Sequence, residues 1–209
     1  MMLKISFSGV PGCGRSSLVE EVRKILAIKS RVNLIDEISR KNPFDDHLRS
    51  HFESQFFYLT TQINEENSHL YSPLDYLLCD QSVIDQWVSW LASYEKKKEE
   101  TRRNLLEHHR VMQSLFRFWI NTYDIMFLIR VSNDVFRERQ TDERLRKIDG
   151  LDQQAREKLF LRVIAEENIR VVEIWNNTSI DEAALHMIQH IQEFQSQKKS
   201  EEQKNTTDS

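Results

Sequence analysis

The sequence predicts a three-layer α/β fold, a doubly wound sheet of five parallel strands with helices on both faces. Three observations predict it. Short apolar runs alternate with longer amphipathic stretches along most of the chain. One run, Ile125-Met126-Phe127-Leu128-Ile129-Arg130-Val131, is apolar almost throughout, as a strand covered on both faces requires. A glycine-rich segment, Gly9 to Gly14, joins the first apolar run to the first helical pattern.

Length and composition narrow the class. At 209 residues the chain suits one domain, expected over 1–195, with a disordered polar tail over 196–209 rich in Ser, Lys, Glu, Gln and Thr. The net charge of −4 supplies no global field for nucleic acid, so any such contact would be local. No segment approaches the ~18 consecutive apolar residues of a membrane span. A first strand at Leu3 leaves no room for a signal peptide, and a soluble cytoplasmic protein is expected. Two cysteines, Cys13 and Cys79, are too few for a disulfide framework. Cys13 reads as a small packing residue, with a reactive thiol near a helix N-terminus as the alternative.

The elements follow in order. Leu3 to Phe7 is the first strand, and Leu18 to Leu26 carries apolar residues at helical spacing. Arg31 to Glu37 reads as a short second strand ending in two carboxylates, Asp36 and Glu37. Leu48, Phe52, Phe56, Leu59 and Ile63 draw one apolar stripe along a helix of about 44–69. Beside it lie Gln55 and Gln62, read as surface amides, with recognition of a base or similar ring as the alternative. Pro73 breaks the chain before a buried strand, Tyr76 to Asp80. A helix with Ile84, Trp87, Val88 and Leu91 comes next, then a charge run over 95–103 that reads as a solvated helix end or loop.

Leu105 to Trp119 continues as an amphipathic helix, in which the adjacent His108 and His109 lack the i, i+4 spacing of a metal pair. After the apolar strand at 125–131, an arginine-rich segment over 132–149 holds Arg137, Arg139, Arg144, Arg146 and Lys147 among acids. A helix at about 151–167, a fifth strand from Ile169 to Trp175 and a last helix at about 180–195 complete the pattern. The Asn-x-Ser/Thr matches at Asn176, Asn177 and Asn205 carry no meaning in an intracellular chain.

The chemistry starts at the glycine segment. Gly9, Gly14 and Ser16 meet G-x-x-x-x-G-K-[ST], with Arg15 where Lys is the rule, and the strand–loop–helix context agrees with the pattern. Glycines let backbone N–H groups turn inward as an anion nest, and the helix start adds its positive dipole end. The plainer alternative is a Gly/Pro turn before a helix capped by Ser16 or Ser17. In doubly wound sheets ligands bind beyond the carboxyl ends of the strands. Asp36/Glu37, Asp80 with Gln81 and Ser82, and the arginine segment all fall on that rim.

These residues carry a family resemblance. Gly9 to Ser17, Glu37-Ile38-Ser39-Arg40, Cys79-Asp80-Gln81-Ser82-Val83-Ile84-Asp85 and Asp142-Glu143-Arg144-Leu145-Arg146 together resemble the phosphate-loop kinases related to deoxynucleoside, thymidylate and ribosylnicotinamide kinases, especially the compact ATPase/kinase-like group. The resemblance covers about residues 3–192. It implies the P-loop NTPase fold with strand order 2-3-1-4-5, an ATP-dependent kinase acting on a nucleoside-like acceptor, and Mg²⁺. Two positions depart from the pattern: Arg15 replaces the loop lysine, and Gln81 replaces the arginine of D-R-S. Arginine keeps the charge but presents a planar fork.

Roles follow as expectations. Gly9, Pro11, Gly12, Cys13, Gly14, Arg15, Ser16 and Ser17, with Arg139 from the lid, are expected to hold ATP; Ser16 and Asp80 are expected to hold Mg²⁺. Glu37 resembles the family carboxylate that orients or deprotonates an acceptor hydroxyl, and Arg15, Arg144 and Arg146 are expected to stabilise the transferring group. Arg40, Gln81 and Gln62 are the candidate substrate contacts. Solvated strand-end acids at Asp36/Glu37, a helix cap at Asp80 and exposed ion pairs among the arginines of 137–147 are the alternatives.

The partners expected are ATP and a small nucleoside-like substrate, with a homodimer left open and no membrane. Two other readings stay open: a kinase of a modified base in DNA, and a nucleotide-binding degenerate kinase or ATPase with little transfer activity. No guanine-specificity signature is found, so ATP is preferred over GTP as donor.

Overall fold

A computed structural model describes residues 2–41, 43–44, 51–139 and 150–207, with backbone only at 39–40, 150–152 and 201–207. Five parallel strands form one sheet: β1 (Leu3–Ser8), β2 (Val32–Ile35), β3 (Tyr76–Asp80), β4 (Ile125–Arg130) and β5 (Val172–Trp175). Their order is β2-β3-β1-β4-β5, as the resemblance implied. The strands sit where the apolar runs place them, although β2 and β5 are shorter at both ends or at the start than expected.

The register fixes what meets at the carboxyl rim. Phe7 lies beside Asp80 on one side and Phe127 on the other, so β1 and β3 end within a residue of one level while β4 runs on to Arg130. β1 and β3 are buried along their whole length, while the edge strands β2 and β5 are partly exposed. The central strands therefore present only backbone and strand-end side chains to solvent, and the rim is where polar groups can gather.

Eight α-helices surround the sheet in the described residues: α1 (Arg15–Ala27), α2 (Phe52–Ser68), α3 (Val83–Glu95), α4 (Glu99–Asn104), α5 (Leu106–Ile120), α6 (Asn133–Arg139), α7 (Gly150–Glu166) and α8 (Ile180–Thr207). The step from β1 to β2 runs one way across the sheet and every later step runs back. Right-handed crossovers then place α1 on one face and α2, α3, α5 and α7 on the other. Packing agrees, since α1 lies against α8 and α3 is surrounded by α2, α5 and α7.

Apolar side chains from both layers close on the sheet. Phe7 and Phe127 pack ring to ring at 5.5 Å, and Trp87 stacks on Phe116 at 5.6 Å, both within one core cluster. His108 stacks on Phe52 at 4.0 Å, and the His109 ring accepts the Trp90 indole N–H at 3.2 Å, so both histidines serve packing. Burial lowers the His109 pKa and keeps that ring neutral as an acceptor.

Three expectations are corrected. The second helix begins at Phe52 among the described residues, and Leu48 lies outside them. The 95–103 charge run is solvated and begins at a helix end, as expected, but it also holds most of a short helix, α4, which buries no residue. The last helix does not stop near 195: α8 continues to Thr207 through the segment expected to be a disordered tail. Gln, Lys and Glu are good helix formers, and Lys198 docks on Asp124 at 2.7 Å, which ties that extension to the end of the sheet.

Candidate functional site

The turn between β1 and α1 is built by its glycines. Gly9 has φ 156°, and a Cβ there would strike the Ile129 carbonyl oxygen of β4 at 2.5 Å. Gly14 has φ 82°, a left-handed position that favours glycine, and a Cβ there would overlap the Asn176 side-chain amide. Gly14 is the N-cap of α1 and offers no side chain to the first-turn amides. Ser16 and Ser17 lie inside that first turn, so neither is the cap that the plainer reading required.

The loop is clamped from the far side of the sheet. The Asn176 Nδ2 donates to the Cys13 carbonyl at 2.8 Å, and the Arg139 Nη1 reaches the same oxygen at 3.4 Å. Arg139 Nη2 also donates to the Asn176 carbonyl at 2.8 Å. Asn176 is 1% exposed and its Oδ1 has no hydrogen-bond partner among the described residues. The Cys13 thiol is buried beside Gly9, and burial pushes its pKa up to about 11. It is therefore protonated at neutral pH, against the reactive-thiol alternative.

Arg15 extends across the loop to the end of β3. Its Nε donates to Asp80 Oδ1 at 2.6 Å, and its Nη1 donates to Asp85 Oδ1 and to the Gly9 carbonyl, each at 3.3 Å. Its Nη2 stands 3.8 Å from Glu37 Oε2. Thus the loop cation and the carboxylates expected at Asp80 and Glu37 do converge, but on one another. Burial alone would lower the Arg15 pKa, yet Asp85 and Asp80 outweigh it and hold it above its usual range.

Asp85 was not among the expected site residues. It closes a capping box with Ser82, accepting the Ser82 amide at 2.8 Å, and also accepts the Gly9 amide at 3.3 Å. The signal was present as Ser82-x-x-Asp85, an N-terminal helix signature. Burial raises its pKa, with Arg15 opposing the shift. The Ser8 and Ser82 hydroxyls share a hydrogen bond of 2.8 Å beneath it.

Gln81 follows Asp80 with φ 107°, a left-handed backbone position for a residue with a side chain. Such positions cost on the order of 1–3 kcal/mol and persist only where the surroundings hold them. Its Oε1 accepts from Gln86 Nε2 at 3.0 Å. Gln62 is fully buried and points one amide hydrogen toward the Gln81 carbonyl at 3.5 Å, so it is not a surface amide. Gln55 is buried as well.

Of the remaining expected residues, Pro11 and Ser17 are exposed, while Gly12 and Ser16 are half-buried at the loop. Arg40 lies in the short 3-10 helix Ile38–Lys41, and its side chain falls outside the described residues. Arg144 and Arg146 fall outside them altogether. Ser16, in the first turn of α1, and Asp80, at the end of β3, carry hard oxygen donors, the ligand type that Mg²⁺ takes.

No family model matches the chain, and no curated protein matches it by sequence. Solved structures do match in shape. Deoxyadenosine kinase from M. mycoides with bound dATP superposes with a TM-score of 0.69 at 15% identity, covering 91% of this chain and 100% of that one. Its complex with dCTP gives 0.66 at 14% identity over the same shares. Thymidylate kinase from Ehrlichia chaffeensis gives 0.59 at 15% identity, covering 91% of this chain and 98% of that one. The chain has the P-loop kinase fold of these neighbours.

Proposed function

We propose that this protein is a P-loop phosphotransferase that moves the γ-phosphoryl group of ATP to a hydroxyl of a nucleoside-like acceptor. The observation that carries the reading is the convergence of Arg15, Asp80 and Glu37 on a glycine loop that opens directly into α1. The shape match to nucleoside and nucleotide kinases supports the same class.

The loop amides of Gly12 and of Gly14 to Ser16 receive the donor phosphates, aided by the uncapped first turn of α1. Arg15 turns from Asp80 to the phosphates as they enter, exchanging one anion for another. That exchange frees Asp80, which with the Ser16 hydroxyl would hold Mg²⁺; the ion would supply neutralisation of phosphate charge. Glu37, at the exit of β2, accepts the proton of the acceptor hydroxyl as its oxygen bonds to the γ-phosphorus and the bond to the bridging oxygen of ADP breaks. Arg139, beside the loop, and the lid residues Arg144 and Arg146 stabilise charge on the transferring group.

A second reading has its own support. Arg15 is engaged by Asp80 and Asp85, and Gln81 provides no cation, an arrangement suited to nucleotide binding with little transfer. The deciding experiment incubates the protein with Mg²⁺ and γ-labelled ATP over a panel of nucleosides and nucleotides, alongside calorimetry with Mg-ATP. Labelled acceptor establishes the kinase. Binding heat without labelled acceptor, with Arg15→Lys raising turnover by orders of magnitude, establishes the second reading. Absence of binding heat overturns both.

A further inference from the structure

Glu66 is fully buried on α2 and receives four hydrogen bonds. Its Oε2 accepts from Lys4 Nζ at 2.9 Å and from Trp119 Nε1 at 2.6 Å; its Oε1 accepts from Gln62 Nε2 at 2.7 Å and from the Tyr123 hydroxyl at 2.6 Å. Lys4, on the central strand β1, is buried too and stands 4.6 Å from the Trp119 ring and 4.5 Å from that of Tyr123. It also bonds the Thr122 hydroxyl. A buried ion pair of this kind is often no more stabilising than apolar residues of the same volume, so stability alone gives little reason for it.

The two arms of the cluster suggest what it does. Four donors on two oxygens leave Glu66 a pure acceptor, so Tyr123 spends its hydroxyl proton on Glu66 and offers a lone pair elsewhere. That lone pair takes the Val83 amide at 3.2 Å. Gln62, committed to presenting its NH₂ side, extends to the Gln81 carbonyl at 3.5 Å. The two contacts bracket Ser82, and they grip the corner whose first residue, Gln81, has the left-handed backbone. The residue just before that corner is Asp80, the partner of Arg15.

We propose that Glu66 is a positioning residue: through Gln62 and Tyr123 it holds the β3–α3 corner in its left-handed turn and so aims Asp80 at Arg15 of the phosphate loop. Glu66 itself touches neither the loop nor any expected ligand. The catalytic consequence rests on the kinase reading; the mechanical one does not.

Two variants test it. Tyr123→Phe keeps the Lys4–Glu66 pair and removes the hold on Val83, while Lys4→Met with Glu66→Met removes the pair without stranding a charge. Amide exchange is followed at Gln81, Ser82 and Val83 in the unliganded protein, and transfer from γ-labelled ATP to the same panel of nucleosides and nucleotides is measured in parallel. The expected result is about tenfold faster exchange confined to the corner, with kcat lowered about tenfold and KM for ATP changed less than about twofold. Corner protection unchanged in Tyr123→Phe, or a loss spread evenly over all amides, overturns the proposal, and Tyr123→Phe alone decides if the double variant does not fold. If the wild type labels no nucleoside or nucleotide of the panel, the kinase reading falls and amide exchange still decides whether Glu66 holds the corner.

Discussion

Arg15 and Asp80 are joined at 2.6 Å, the cation of the glycine loop donating to the carboxylate that ends the third strand. Side chains 10% and 4% exposed make this a buried pair, with Asp85 beside it. Removing one partner of such a pair leaves an uncompensated charge. Arg15→Ala is expected to lower unfolding free energy by about 3 kcal/mol, measured by denaturant titration. Adding Asp80→Asn is expected to restore part of that loss, which identifies the coupling as electrostatic.

The Cys13 thiol offers a test in pH. Its pKa is raised by burial from 9.0 to about 11 in the folded protein, so the folded state retains a proton that the unfolded chain gives up. Its contribution to stability is present below pH 9 and is lost as pH rises toward 11, by about 2–3 kcal/mol in all. Cys13→Ser, compared with wild type in thermal melts from pH 7 to 11, is expected to show a shallower alkaline decline. An equal slope would show that the thiol does not titrate as burial requires.

Gly14→Ala places a methyl group against Asn176 at a backbone angle that alanine resists. A stability loss of about 1–3 kcal/mol is expected, with Mg-ATP affinity falling about tenfold or more in calorimetry.

Asn176→Asp removes the amide hydrogens that hold the Cys13 carbonyl and brings an anion beside the loop. Weaker Mg-ATP binding than in Asn176→Ala is the expected order, since alanine loses the hydrogen bond, worth about 1 kcal/mol, without adding repulsion.

Ending the chain after Gln195 removes the Lys198 contact to Asp124 and the last turns of α8. Because the ion pair is partly exposed, a change in unfolding free energy of at most about 1 kcal/mol is expected. A much larger loss would show that the extension is part of the folded core.

The sheet could be read from sequence because its strands are short apolar runs bounded by punctuation, and the loop because Gly9, Gly14 and Ser16 keep a spacing that only a strand–turn–helix corner uses. Partnerships were harder. Nothing local tells that Arg15 will lie on Asp80, since the two are brought together by parallel pairing of β1 with β3. Asn176 looked like an ordinary residue after a strand, because its role depends on a carbonyl at the other end of the chain. Glu66 carries no motif that singles it out among the acids of the chain. Yet Gln55, Gln62 and Glu66 recur at offsets of seven and four, a polar stripe of helical period beside the apolar one, and all three are buried. The continuation of α8 was missed because composition describes a tail's solubility better than its local preference for helix.

Asn176 and Cys13 belong to the last and first strand–loop junctions of the sheet, and their bond has a consequence for synthesis. A nascent chain leaving the ribosome has its glycine turn early, but the amide that braces it arrives only when β5 has emerged. Contacts of such long sequence separation close late. The protein is thus expected to gain its grip on polyphosphate at the end of translation, and a stalled fragment ending before residue 176 should emerge with the turn unbraced.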